Sequence, residues 1–144
     1  MASPVKRGNT FTIDININNV AYMAYAFFDL KFNSSCISYS SYNSISQIGS
    51  GSGTVKAGIN QPGLLRIVVD YSSYAAAHTG YGASGTGYLC KINFNAINTG
   101  NCSLVFVEGQ GTPAGELTLI RWAAYSQSKI ENVSWTNISI TVVK

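Results

Sequence analysis

Charged side chains are scarce in this chain: Asp, Glu, Lys and Arg together supply 10% of its 144 residues. The nine Lys and Arg residues nowhere form a run of three or more, so the sequence lacks the basic stripe through which many proteins bind nucleic acid. It also lacks any apolar run close to the roughly 20 residues that a membrane-spanning helix needs. We therefore expect no nucleic-acid partner and no membrane span.

Cysteine and histidine are also few. The three cysteines, Cys36, Cys90 and Cys102, leave at least one without a partner in the chain, and we expect all three to be small apolar residues buried in the core. The only histidine, His78, has no Cys, Asp or Glu within five positions, and the sequence contains no CxxC pair. A metal site is therefore not expected.

Acidic residues are too few and too scattered to suggest an active site. Glycoside hydrolysis requires a pair of carboxylates across a cleft, and no two acids lie close in this sequence. The nearest match to a GxSxG nucleophile motif, residues 82–86, ends in Thr86 and lies in a Gly-rich stretch that we interpret as a loop. We expect a protein that is not an enzyme. The six acids are Asp14, Asp29, Asp70, Glu108, Glu116 and Glu131.

Apolar residues, by contrast, make up 46% of the chain, enough to bury one sizeable core. We expect a single domain over residues 1–144, with residues 1–3 a cloning remnant. Its polar surface must be built from Ser, Thr, Asn, Tyr and Gly, which suits an extracellular or cell-surface protein. No signal peptide is present, so a secreted native protein would have lost its signal or upstream domains.

Strict alternation of apolar and polar residues predicts two half-buried strands near the start of the chain. The first, residues 11–18, reads FTIDININ, and the second, residues 25–32, reads YAFFDLKF. Asn18 and Asn19 predict a turn between them. The outward side of the second strand should contain only polar residues, but two of the residues there are aromatic. That outward set consists of Tyr25, Phe27, Asp29 and Lys31.

The rest of the chain is also mostly strand. A strong turn signal at residues 60–63 predicts a hairpin, whereas residues 40–53 and 72–87 are predicted as connections, the second with one helical turn at 74–77. No window shows a helical apolar stripe bounded by caps. We predict an all-β fold, a two-sheet β-sandwich with jelly-roll topology and about nine strands. Further strands are predicted at residues 55–59, 64–71, 88–96, 104–107, 116–122 and 138–142.

Four segments, in their order and spacing, resemble a cohesin domain: GNTFTIDININNV, YAFFDLKFNSSCISY, NQPGLLRIVVDY and GTGYLCKINFNAINTGNCSLVFVEG. Cohesins begin an alternating strand with Gly-Asp-Thr and follow a later strand with Tyr-Asp-Pro. Here Gly8 and Asn9 replace the first pair, and Phe32, Asn33 and Ser34 replace the second motif, so the chain resembles a divergent member.

The resemblance implies a secreted, cellulosome-like module whose partner is a dockerin, a small helical domain on another secreted protein. Calcium is then expected on the dockerin rather than on this chain, which would need no cofactor and would be monomeric when isolated. Recognition would use one flat sheet face built from the strands at residues 25–32, 64–71 and 89–95. The candidate contact residues are Tyr25, Phe27, Asp29, Arg66, Val68, Asp70, Lys91 and Asn93.

The alternation itself supports this interface, since it directs Phe27, Val68 and Leu89 to the solvent side, and exposed apolar groups indicate a binding surface. On that basis Phe27→Asp is predicted to abolish binding and leave the thermal midpoint nearly unchanged. Two alternatives stay open. One is a carbohydrate-binding module that uses Trp122 and Trp135, and the other is a structural subunit of a surface layer or filament that assembles by strand addition.

Overall fold

The computed structural model describes residues 4–78, 81–107, 118–123, 126–129 and 136–144, with the backbone alone for Asn60 and for the described residues between 118 and 129. These residues form eleven β-strands and one short α-helix. The elements are β1 (Val5–Lys6), β2 (Thr10–Phe32), β3 (Ile37–Tyr42), β4 (Ile45–Ile48), β5 (Gly51–Gln61), β6 (Leu64–Asp70), α1 (Ser72–Ala77), β7 (Ala83–Ala96), β8 (Gly100–Val107), β9 (Thr118–Ala123), β10 (Ser126–Lys129) and β11 (Ile138–Val143).

Strand β2 dominates the fold because it contributes to both layers. Its first half pairs with β7, from Thr10 opposite Asn95 onward, and its second half pairs with β6, β8 and β9. Between the halves, Asn19 and Tyr22 have positive φ angles of 53° and 57°, and the register with β7 shifts. The predicted turn at Asn18 and Asn19 is therefore a corner within one continuous strand.

The core lies between the two halves of β2 and the strands paired with them. Ile13 and Ile15 from the first half, and Phe28 and Leu30 from the second, belong to one cluster of buried side chains. The strand order β1-β11-β8-β2-β6-β5-β4-β7-β3 places strands that are distant in sequence beside each other. The predicted all-β, two-sheet, jelly-roll sandwich is confirmed.

The predicted connection at residues 40–53 is wrong, because this segment contains the end of β3, all of β4 and the start of β5. The Ser46 hydroxyl donates to the backbone oxygen of Tyr88 at 3.0 Å and lies 2.7 Å from the hydroxyl of Tyr71. Burial raises the pKa of Tyr71 to about 12. These contacts with residues distant in sequence order the segment, although its own composition favours a loop.

The helical turn predicted at 74–77 is present as the end of α1.

All three cysteines are buried in the core as predicted, but two of them are not free. Cys90 is buried and free, and burial raises the pKa of its thiol to about 12. Cys36 and Cys102 instead form a disulfide, with their Cα atoms 6.2 Å apart. The pair is separated by 66 positions in sequence, and it joins the connection after β2 to strand β8. Local spacing could not predict a contact that depends on the topology of the whole sandwich.

Candidate functional site

The outward side of β2, β6 and β5 forms a flat, regular array. The opposite sides of these strands bury Phe28, Ile67 and Val55 in the core, so the alternate residues face away from it. Antiparallel pairing places the outward residues in three rows across the strands. The rows are Tyr25, Asp70 and Thr54; Phe27, Val68 and Lys56; and Asp29, Arg66 and Gly58. We call these nine residues the β6 face.

Six of the eight predicted contact residues belong to the β6 face, but Lys91 and Asn93 do not. They lie on β7, opposite Asp14 and Thr12 of the first half of β2. The corner in β2 separates that region from the second half of the strand. The predicted residues therefore form two groups rather than one patch. We call the outward residues of β7 and the first half of β2 the β7 face: Thr10, Thr12, Asp14, Asn16, Lys91, Asn93 and Asn95.

Several side chains of the β7 face already form hydrogen bonds or an ion pair within the domain. The hydroxyl of Thr12 donates to Asn93 Oδ1 at 2.7 Å, and Asn93 Nδ2 donates to Ser41 Oγ at 2.9 Å. Lys91 Nζ lies 3.6 Å from Asp14 Oδ2. Hydrogen-bonding groups that are satisfied in this way gain little when a partner replaces water.

Phe27 is less accessible than predicted. Its side chain is 7% exposed, and its ring stacks on that of Tyr25 with centroids 5.7 Å apart. Phe27 lies opposite Val68 of β6 on one side and Thr118 of β9 on the other, so paired strands flank it on both sides. The prediction that Phe27 is a solvent-exposed position, which can be changed to Asp at little cost to stability, is wrong.

Leu89 does not face solvent either: it is 2% exposed and belongs to the core cluster. The register explains why. Ile15 pairs with Cys90 and Asn16 pairs with Tyr88, so Leu89 is an extra residue in a β-bulge. A bulge lets two consecutive residues point to the same side, which simple alternation cannot predict.

Asp29 and Arg66 form the most ordered polar contact of the β6 face. Arg66 Nε donates to Asp29 Oδ1 at 3.1 Å and Nη2 donates to Oδ2 at 3.3 Å. The Asp29 side chain is completely buried, whereas 25% of the Arg66 side chain is exposed. Desolvation offsets much of the Coulomb energy of such a pair. Its main effect is to hold the guanidinium in one fixed position on the surface.

Strand β5 supplies residues that the sequence analysis did not propose as contacts. Lys56 and Gly58 are exposed and complete two rows of the β6 face. Beside Gly58 lies an open recess of about 300 Å³. The alternation of Val55, Ala57 and Ile59 could have revealed these residues, because it directs the positions between them outward. The recess is lined by Lys56, Ala57, Gly58, Ile59, Arg66 and Val68.

The residues proposed for other chemistries are placed as follows. Ser84, in the GxSxG-like run, lies in β7 rather than in the predicted loop, and its Oγ accepts a hydrogen bond from the backbone N–H of Tyr22 at 2.9 Å. His78 stacks on Tyr74 with ring centroids 3.8 Å apart. Trp135 lies outside the described residues, and Trp122 of β9 is described only by its backbone, so the carbohydrate hypothesis is not tested.

Two further observations concern metals and membranes. Across the described ranges, no group of three or more His, Cys, Asp and Glu residues is positioned to hold a metal ion. In the same part of the chain, no helix has the length and apolar character required to cross a membrane.

The family model described as "Cohesin domain" matches residues 2–142 of the chain. The chain therefore belongs to the cohesin domain family, as its motifs predicted. No curated protein matches it.

Solved structures of similar fold are cohesins. The third cohesin ScaC of Acetivibrio cellulolyticus, solved in complex with the ScaB dockerin, has a TM-score of 0.70 and 14% identity, with 98% of this chain and 94% of that one covered. A non-cellulosomal cohesin from the archaeon Archaeoglobus fulgidus has a TM-score of 0.69 and 12% identity, covering 98% and 88%. The cohesin module of a Clostridium perfringens family 33 glycoside hydrolase has a TM-score of 0.64 and 15% identity, covering 96% and 89%.

Proposed function

We propose that this chain is a non-catalytic module that binds a dockerin through the β6 face. The observation that carries the proposal is the array itself, which places the aromatic ring of Tyr25 and the apolar Val68 on one face with the guanidinium of Arg66. Aromatic residues and arginine are enriched at the centres of protein interfaces, where charged residues are otherwise depleted. The fixed guanidinium of Arg66 adds a polar group that needs little reordering on binding.

Family membership supports the identity of the partner. The similar cohesin ScaC was solved with a dockerin bound, and a dockerin is the partner we propose for this chain. Calcium then acts on the dockerin side, where it would stabilise the helical partner, and this chain contributes no ligand to it.

The disulfide supports an extracellular or cell-surface location. Bonds such as Cys36–Cys102 form and persist in oxidising surroundings and are rare in the cytosol. A surface built largely from Ser, Thr, Asn and Tyr is consistent with the same location.

The proposal is tested by isothermal titration of the folded domain with a panel of calcium-loaded dockerins of different types. At least one is expected to bind saturably with 1:1 stoichiometry, and chelation of calcium is expected to abolish that binding. If none of the dockerins binds a domain whose fold is verified by circular dichroism, the proposed function is wrong.

The contact role of Lys91 and Asn93 stays a prediction, and our proposed interface does not include these residues, because they lie on the β7 face. Asn93→Ala, titrated with the same dockerin, tests it. A loss of affinity of about tenfold or more, roughly 1.4 kcal/mol, would extend the interface to that face. An unchanged affinity would restrict the interface to the β6 face.

A further inference from the structure

Gly58 is a glycine that the fold does not require. Its φ angle lies outside the left-handed region, and a Cβ built on it would meet no atom of the described residues within 4 Å. Gly53 of the same strand differs, because a Cβ there would lie 2.7 Å from both the Asp70 oxygen and the Tyr71 ring. Glycine inside a strand is destabilising relative to alanine, because it loses more conformational freedom on folding. The sequence thus has a destabilising residue at position 58, and the described residues give no conformational or packing reason for it.

The consequence of Gly58 is the open recess beside it. Gly58 lies opposite Arg66, and Lys56 lies opposite Val68, so the missing side chain leaves space between two cationic residues and one apolar residue. Ile59, which also lines the recess, is 48% exposed. The walls are apolar because they comprise Val68, Ile59 and the aliphatic stems of Lys56 and Arg66.

The two cations at this recess are not equivalent. Arg66 is held by the buried carboxylate of Asp29, which satisfies its charge. Lys56 is exposed and forms no ion pair with the residues that the structure describes. An incoming carboxylate would therefore find its counter-charge at Lys56. Apolar walls beside a cation that has no acidic partner among the described residues fit a group that is apolar and carries a nearby negative charge.

We propose that the Gly58 recess is a specificity site that accepts one apolar side chain of the partner, with a neighbouring carboxylate bound by Lys56. This proposal rests on the proposed function for its partner, a dockerin, which would present both groups on one helix. Glycine at position 58 then serves recognition. A larger residue there would fill the space that the partner needs, without disturbing the fold.

The recess can be tested without any dockerin by titrating isocaproate, a branched alkyl carboxylate, into isotopically labelled protein. In NMR spectra we expect saturable shifts confined to the amides around Lys56, Gly58 and Val68. Gly58→Leu should abolish them, and the neutral analogue 4-methylpentan-1-ol should bind at least threefold more weakly. Shifts that are absent, spread over the whole surface or unchanged in Gly58→Leu would overturn the proposal.

The second experiment uses a dockerin that binds the wild-type domain. Gly58→Leu is expected to weaken binding at least tenfold while the thermal midpoint stays equal or rises. Ser52→Leu is the matched control, since Ser52 is an exposed residue of the same strand outside the recess. It should leave the affinity within twofold of wild type. An equal affinity for Gly58→Leu and wild type would overturn the proposal.

The two experiments separate this inference from the proposed function. If isocaproate binds the recess and no dockerin binds the domain, the proposed function is wrong and the recess stands as a site for an apolar carboxylate. If a dockerin binds and Gly58→Leu has no effect, the proposed function stands and the recess is not its specificity site.

Discussion

The two halves of strand β2 carry outer faces of opposite character. On the β7 face, Thr10 and Thr12 donate to Asn95 and Asn93 at 2.8 and 2.7 Å, so the polar side chains satisfy one another across the strands. On the β6 face, the corresponding residues of β2 include Tyr25 and Phe27, whose rings stack. The second half of β2 thus has a half-buried aromatic residue, Tyr25, on its outer face, whereas the first half has only polar side chains there.

The difference matters because apolar and polar surfaces gain differently from binding. Removing apolar area from water contributes about 25 cal/mol per Å². Exchanging a satisfied polar group from water to a partner contributes little and can cost free energy when the new pairing is imperfect. The β6 face therefore has more to gain from a partner than the β7 face, even though both belong to one strand and one sandwich.

The largest expected contrast between the faces is in stability. Phe27→Ala should lower the free energy of unfolding by about 3 kcal/mol, because it removes a nearly buried aromatic ring. Thr12→Ala, its counterpart on the β7 face, should cost less than about 1 kcal/mol, since it removes one exposed hydrogen bond. Urea denaturation followed by fluorescence measures both. Equal losses would show that Phe27 is not covered by its neighbours.

A second contrast concerns the two ion pairs. Arg66→Met should cost about 2 kcal/mol, because it leaves the buried carboxylate of Asp29 without its guanidinium. Lys91→Met should cost less than about 0.5 kcal/mol, since its pair with Asp14 is exposed and screened by water. Both variants are compared with wild type in denaturant at low and high salt. If Lys91→Met loses more stability than Arg66→Met, it is wrong that the Asp29–Arg66 pair is the more stabilising of the two.

The smallest expected effect distinguishes two glycines of β5. Gly58→Ala should stabilise the domain by about 0.5 kcal/mol, because the new Cβ meets no atom and reduces the entropy of the unfolded chain. Gly53→Ala should destabilise it, because its Cβ would collide with Asp70 and Tyr71. Differential scanning calorimetry measures whether each variant is more or less stable than wild type. A destabilised Gly58→Ala would imply that the fold itself requires this glycine.

Local alternation predicted the strands that build the β6 face. The strands at residues 25–32 and 64–71 were predicted correctly, because the side of each strand that faces the core is apolar. This alternation depends only on residues that are adjacent in sequence. The resemblance to cohesins then predicted that these strands belong to a sandwich, and membership of the cohesin family was confirmed.

Errors arose where the answer depended on residues distant in sequence. The bulge at Leu89 is visible only in the pairing with Ile15 and Asn16. Phe27 is buried on a strand whose two neighbours, β6 and β9, are distant from it in sequence. Grouping Lys91 with Arg66 failed because the positive φ angles near Asn19 turn β2 from one layer to the other. None of these features can be predicted from the alternation of apolar and polar residues within a single segment.

The central claim is that the β6 face, and not the β7 face, binds the partner. Its most direct test is calorimetric titration of one binding dockerin with Val68→Asp and with Asn16→Asp, which place the same carboxylate on the two faces. We predict that Val68→Asp weakens binding at least about 30-fold, roughly 2 kcal/mol, as expected for the centre of an interface. Asn16→Asp is expected to change the affinity less than twofold. Equal affinities for Val68→Asp and wild type, or a greater loss for Asn16→Asp, would contradict the claim.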